Sequence, residues 1–170
     1  VASFGKPDII TFTNVFAHIE DLKSVLSSLR ILMHETSVVV VENHYLGSII
    51  DGNQFDTFYH EHPRTYSLTS FIHMASSLNA QLLSYDFPSR YGGNIRVFLG
   101  KTKLELSTEK LNLETIINKE HSFGNNLKGM KAMIDNWKKL KYKEIHKCFS
   151  SYGPLRAKAF PGRAAILVKI

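Results

Sequence analysis

The residues best able to do chemistry in this sequence stand together in "FDTFYHEHPRTYS", residues 55 to 67. Tyr59, His60, Glu61 and His62 are adjacent there, and Tyr66 follows four residues on. All of them handle protons, and imidazole is the side chain whose ordinary pKa lies nearest neutral pH. An imidazole held by a neighbouring carboxylate or hydroxyl takes or returns a proton at a reacting atom. In an extended segment His60 and His62 share one face, and Tyr59 and Glu61 the other. All four reach one pocket only if the backbone turns. His-x-His is also a metal-ligand spacing, but no third ligand at a comparable spacing accompanies it, which argues against a metal.

The whole chain bounds what such a cluster serves. Its 170 residues, 44% hydrophobic and 11% aromatic, suffice for one ordinary domain with a real core, or one domain and part of another. The single cysteine, Cys148, excludes an internal disulfide and a thiolate-rich zinc cluster, and it fits a reducing cytoplasm. No apolar run approaches the roughly 18 residues of a membrane span, and no basic-then-apolar leader opens the sequence. The expectation is a cytoplasmic protein with no membrane partner. The net charge of +6 is uneven, with 6 Lys/Arg against 9 Asp/Glu in residues 1–100 and 15 against 6 in residues 101–170. The lysines of "NNLKGMKAMIDNWKKLKYKEIHK" (125–147) punctuate an amphipathic pattern instead of forming a block. That favours a solvated helix face over a nucleic-acid patch, with attraction to an anionic ligand such as a nucleotide diphosphate as a looser option.

The elements that must position the cluster are legible from periodicity. "DIITFTNV" (8–15), after the "GKP" turn signal, and "SVVVVEN" (37–43) read as buried strands, the four valines as a strand buried on both faces. Between them "EDLKSVLSSLRILM" (20–33) places Leu22, Val25, Leu26, Leu29, Leu32 and Met33 at helical spacing, with acids at its start. "SLTSFIHMASSLN" (67–79) is a second helix, with Ser67 or Thr69 to cap it and Asn79 suited to a left-handed end. "AQLLSYDF" (80–87) and "GNIRVFLG" (93–100) read as an antiparallel pair. Residues 107–147 are mostly helical with a break near "SFGNN" (122–126), and the chain finishes on a strand-like "AAILVKI". This order suits half of a doubly wound sheet with an antiparallel edge hairpin. Ligands bind such sheets beyond the carboxyl ends of the parallel strands. "NVFAH" (14–18), "ENHYL" (42–46) and the opening motif therefore converge on one cleft.

Four of these stretches resemble the sugar C-methyltransferases, which use S-adenosylmethionine to methylate a carbon of a nucleotide-linked keto-deoxysugar. "DIITFTNVFAHIEDL" resembles the family's strand ending in an Asn and a His, and "VVVENHYL" its next strand, with an acid and a Tyr just beyond. "FDTFYHEHPRTYSLTSF" is close to its FDT-x-YHEH signature, and "YGGNIRVFLG" to its GGS-x-R-x-Y strand. The matches keep the family's order over roughly residues 5–100. "YGPLRAKA" (152–159) resembles the family's YGAPAKA loosely.

The resemblance implies a partial class I methyltransferase, Rossmann-like, sheet over residues 1–100 and a basic, mainly helical arm opening a C-terminal domain over 101–170. It implies S-adenosylmethionine as cofactor and a nucleotide-sugar as substrate. No Gly-x-Gly pattern precedes Gly5 and no cysteine-rich module is present, so the expectation is a fragment or remnant with poor cofactor binding and no zinc. The first strand then has an exposed edge, which self-association or the helical arm would cover. Carried over by motif, His62 is the base that removes the proton beside the ketone, with Tyr59 as the alternative. Glu61 orients or polarises them, His18 steadies the enolate oxygen, Asn14 lies near the cofactor, and Tyr45 and Arg96 meet the substrate, Arg96 through a phosphate. Without the resemblance the YHEH cluster reads equally as a hydrogen-bonded loop anchor, His18 as a semi-buried histidine, and Arg96 as a solvated strand-edge residue. A non-catalytic interaction module derived from the same fold is the alternative function.

Overall fold

The computed structural model describes residues 4–102 and 113–156, together with Ala164, Ile166 and Lys169. Four strands form one mixed sheet: β1 (Ile9–Thr13), β2 (Val38–His44), β3 (Gln81–Asp86) and β4 (Asn94–Gly100), in the spatial order β1-β2-β4-β3. β1 and β2 run parallel, from Ile9↔Val38 to Thr13↔Glu42. β4 returns antiparallel between β2 and β3, with Val38 opposite Gly100 and His44 opposite Asn94. The expected hairpin is present, and its second strand is the inner one. Apolar β-branched residues dominate β2 and the middle of β4, the strands with neighbours on both sides.

α1 (Leu22–Leu32) and α3 (Leu68–Ser77) cross over the same face of the sheet, and Arg30 Nε of α1 donates to the Ser77 carbonyl of α3 at 2.6 Å. Asp21 caps α1 by accepting from the Ser24 amide. Ser67 and Ser70 form a reciprocal capping box on α3. Asn79 ends that helix at φ 52°, the left-handed position its short amide side chain tolerates. The core between helices and sheet holds Phe16, Leu29, Met33, Val39, Val41, Leu68, Phe71, Ile95, Val97 and Leu99. Burial of each such side chain contributes about 1.5–3 kcal/mol. Val38 and Val40 remain only partly buried, so the four valines are enclosed fully on the helix-covered face alone. The same alternation leaves Ile9 65% exposed while Ile10 and Phe12 pack on the core.

Three further helices complete the described chain: α2 (Leu46–Asp51), α4 (Leu113–His121) and α5 (Phe123–Tyr152). The expected break near residues 122–126 is confined to Ser122, between α4 and α5. Phe123 and Met130 join the core, and Trp137 meets Phe55 edge-to-face with ring centroids 5.3 Å apart. Beyond Trp137 the helix is exposed through residue 147. The expected strand at "AAILVKI" falls largely outside the described residues, and the three positions described there are helical.

Candidate functional site

β1 ends at Thr13, and Asn14 turns the chain at φ 54° with its amide donating to the Glu42 carbonyl at 2.8 Å. A single 3-10 turn, Phe16–His18, follows, anchored by the fully buried Phe16 ring and leaving the imidazole of His18 exposed. β2 ends in Glu42, Asn43 and His44, also at its carboxyl end. The third segment is the YHEH loop, where the His62 amide donates to the Tyr59 carbonyl at 2.8 Å. That turn resolves the problem of alternating faces. It brings positions i and i+3 to one side and turns the two between them outward.

Tyr59 Oη lies 3.4 Å from His62 Nε2, with ring centroids 4.5 Å apart. His62 in turn meets His18, centroid to centroid at 4.6 Å and edge to face. His60 and Glu61 point to solvent, where Glu61 lies 3.8 Å from His60 Nε2. The pocket beside this trio measures about 330 Å³ and is lined by Asn14, Ala17, His18, Asn43, His44, His62, Tyr91 and Asn94. It stands where a doubly wound sheet binds ligands, beyond the carboxyl ends of β1 and β2. The structure thus unites His18, His62 and Asn14 at the pocket, with Tyr59 behind His62. Sequence reasoning missed Asn43, His44, Tyr91 and Asn94 as lining residues. The signal for Asn43 and His44 was present, since "ENHYL" was already placed at that edge.

Behind the pocket a charged network ties three strands. Glu42, 3% exposed, accepts from Asn94 Nδ2 at 2.9 Å, from Arg96 Nε and Nη2 at 2.9 and 2.8 Å, and from Arg90 Nη2 at 2.7 Å. Arg96 also reaches Asp86 at 3.2 Å, so two carboxylates engage the guanidinium that was expected to meet a phosphate. Burial alone would raise the Glu42 carboxyl. The Asn94 hydrogen bond and the charges of Arg96 and Arg90 outweigh it and hold the group below the ordinary carboxylate range. A carboxyl depressed by folding stabilises the fold above its unfolded value, and that stability is lost as pH falls through the folded value. The chain is therefore expected to lose stability as the pH falls below 4.5. Glu42→Gln, weaker at neutral pH, should show a flatter acid limb in urea titrations across that range. Parallel acid limbs would show that another carboxylate controls acid unfolding.

Asn43 Oδ1 and Asn94 Oδ1 are buried without a hydrogen-bond partner among the described residues, and both side chains belong to pocket-lining residues. The Asn94 amide nitrogen is committed to Glu42 and Asn14, so its oxygen is an acceptor in want of a donor. Tyr45, expected at the substrate, has its ring 6% exposed and its hydroxyl 3.0 Å from Glu120 Oε1. Burial first, and then the Glu120 charge, pushes that hydroxyl well above the ordinary tyrosine range, so it remains a donor.

The rim is made by the loop between β3 and β4. Tyr91 sits in the left-handed region (φ 55°, ψ 27°) with 70% of its surface exposed. Gln54 Nε2 donates to the Gly92 carbonyl at 2.9 Å, and a Cβ on Gly93 would approach Ser48 Oγ to 2.3 Å. The loop is thus held against α2 while Tyr91 carries the strain. Left-handed backbone costs an L-residue about 1–2 kcal/mol, and glycine's freedom in the unfolded chain returns about 0.5–1 kcal/mol of any relief. Tyr91→Gly is expected to raise stability by about 0.5 kcal/mol in urea unfolding. A fall would mean that contacts of the ring outweigh the strain.

Sheet and pocket together define a mixed α/β chain consistent with a Rossmann-like fold. Over 83 residues, 49% of this chain, it is 35% identical to C-methyltransferase NovU of Streptomyces niveus, a similarity that supports a methyltransferase-like chain. The matched stretch is 20% of that relative, so the chain spans about a fifth of its length. No family model matches the chain.

Proposed function

We propose that this chain is the second half of a class I methyltransferase sheet, and that it serves S-adenosylmethionine-dependent methylation at a carbon of a nucleotide-linked keto-deoxysugar. The observation that carries the reading is the Tyr59–His62 turn, which aims one imidazole of the YHEH motif at His18 and the pocket. The sheet supports it too, because an antiparallel hairpin at its edge is the arrangement that the family resemblance implies. Residues 1–100 would form the catalytic half and 101–170 the arm leading to a further domain, in a cytoplasmic protein.

His62 takes the proton from the carbon beside the ketone, and Tyr59 holds the imidazole through its hydroxyl. His18, against the edge of His62 at the same wall of the pocket, donates to the oxygen on which negative charge develops. Glu61, 54% exposed and turned to His60, would affect the base only through the loop. Tyr45 and Arg96 act from behind the wall. The residues present fit a cofactor and substrate rich in hydroxyl and amino donors, because Asn43 Oδ1 and Asn94 Oδ1 are buried acceptors without a donor among the described residues. Asn14, at the carboxyl end of β1, would hold S-adenosylmethionine. When bound, that cofactor supplies a methyl group activated by its sulfonium.

The test is deuterium exchange from solvent at the carbon beside the ketone of a nucleotide-linked keto-deoxysugar, which reads the base with no methyl donor present. Exchange above the buffer rate is expected, and no exchange at any concentration would overturn the reading. The alternative, an interaction module, draws on β1. It is an edge strand of the described sheet, with Ile9 65% exposed, and a second copy would pair there. Calorimetry with S-adenosylmethionine joins that test: binding favours the enzyme, and a concentration-dependent dimer that neither binds it nor exchanges the substrate proton favours the module.

A further inference from the structure

The YHEH loop does not rest on the His18 loop by packing alone. Arg64 extends its guanidinium across the gap, with Nη1 donating to the Ile19 carbonyl and Nη2 to the Glu20 carbonyl at 2.9 Å. These are consecutive carbonyls, and the planar fork of arginine suits two acceptors side by side. Ile19 directly follows His18, and its own amide closes the 3-10 turn on the Phe16 carbonyl. On the other side, Arg64 is two residues past His62, and Pro63 between them fixes one backbone torsion. The clamp is therefore joined to each imidazole by a very short, stiff lever. Another hydrogen bond between the two segments, Tyr66 Oη donating to the Phe16 carbonyl at 3.1 Å, lies deeper, in the core.

We infer that Arg64 is a positioning residue that sets the separation of the His18 and His62 imidazoles. The inference rests on the reading above for its purpose, since the separation matters only if the two groups share a reacting molecule. Its geometry is independent of any methyl transfer. Lysine in its place would hold one carbonyl at a time and let the loops slide against each other. Tyr66→Phe should leave the imidazoles where they are.

The experiment is proton NMR of the full chain, reading nuclear Overhauser cross-peaks between the His18 and His62 rings in wild type, Arg64→Ala, Arg64→Lys and Tyr66→Phe. Cross-peaks are expected in wild type and Tyr66→Phe, lost in Arg64→Ala, and weakened in Arg64→Lys with the remaining spectrum unchanged. Wild-type cross-peaks in Arg64→Ala, or their equal loss in Tyr66→Phe, would overturn the inference. Should Arg64→Ala fail to fold, Arg64→Lys decides, and an undiminished cross-peak there overturns it. A chain that behaves as expected here yet exchanges no substrate proton keeps the clamp and loses the proposed function, so the two fail separately.

Discussion

Deuterium exchange at the sugar carbon should fall about 10²–10⁴-fold in His62→Ala, the range that a positioned general base contributes. The expectation follows from the turn between Tyr59 and His62, which leaves one imidazole of the motif facing the pocket. His60→Ala is the internal control, because its ring is 84% exposed and points away. It should exchange within about twofold of wild type, as surface substitutions do. Tyr59→Phe keeps the ring packing against His62 and removes the hydroxyl 3.4 Å from Nε2, so an intermediate loss is expected. If His60→Ala and His62→Ala were equally damaging, the loop as a whole, and not a particular base, would be what the pocket needs.

Glu120→Ala should be the most destabilising single change on the helical arm, lowering stability by about 2–4 kcal/mol. The carboxylate is 8% exposed and accepts four hydrogen bonds across the arm's junction with the core. Two come from the Leu68 and Thr69 amides at the start of α3, at 2.7 and 2.8 Å, and the others from the Thr69 and Tyr45 hydroxyls. Its removal strands a buried tyrosine hydroxyl and two donors of a helix N-terminus at once. Glu120→Gln retains one acceptor oxygen and should lose roughly half as much. Chemical unfolding measures the loss, and Trp137 fluorescence shows whether α5 leaves Phe55 in the same transition. A change below about 1 kcal/mol would place the arm's attachment in its apolar contacts instead.

The contrast between Glu120 and the strands shows what the sequence could tell and what it could not. Apolar residues every third and fourth position state how a helix is buried, because periodicity and burial have one cause. Four valines in a row marked the strand but overstated its cover, since only one of its faces is fully enclosed. Asn79 and Ser67 were legible for a similar reason, each having a local conformation that few residues satisfy as well. Glu120 carries no such mark. In an amphipathic arm rich in lysine a glutamate reads as part of the solvated face, and only the arrival of α3 makes it a cap. Arg96 has partners that were hidden in the same way. An arginine on a strand offers its fork to any anion, and β4's position between β2 and β3 decides that Glu42 and Asp86 take it. The YHEH loop was legible in content and in place. The direction each side chain takes depends on one backbone hydrogen bond that alternation does not encode.

The placement of β4 has a consequence for how the chain comes into being. β2 has β1 on one side as soon as both are made, but its other neighbour starts some fifty residues later, at Asn94. At a synthesis rate of about 5–20 residues per second that is a wait of roughly 3–10 seconds. Throughout it, a strand of four successive valines has an open flank. The late arrival carries Tyr91 and Asn94 with it, so the rim and one wall of the pocket are added last, when the sheet is closed.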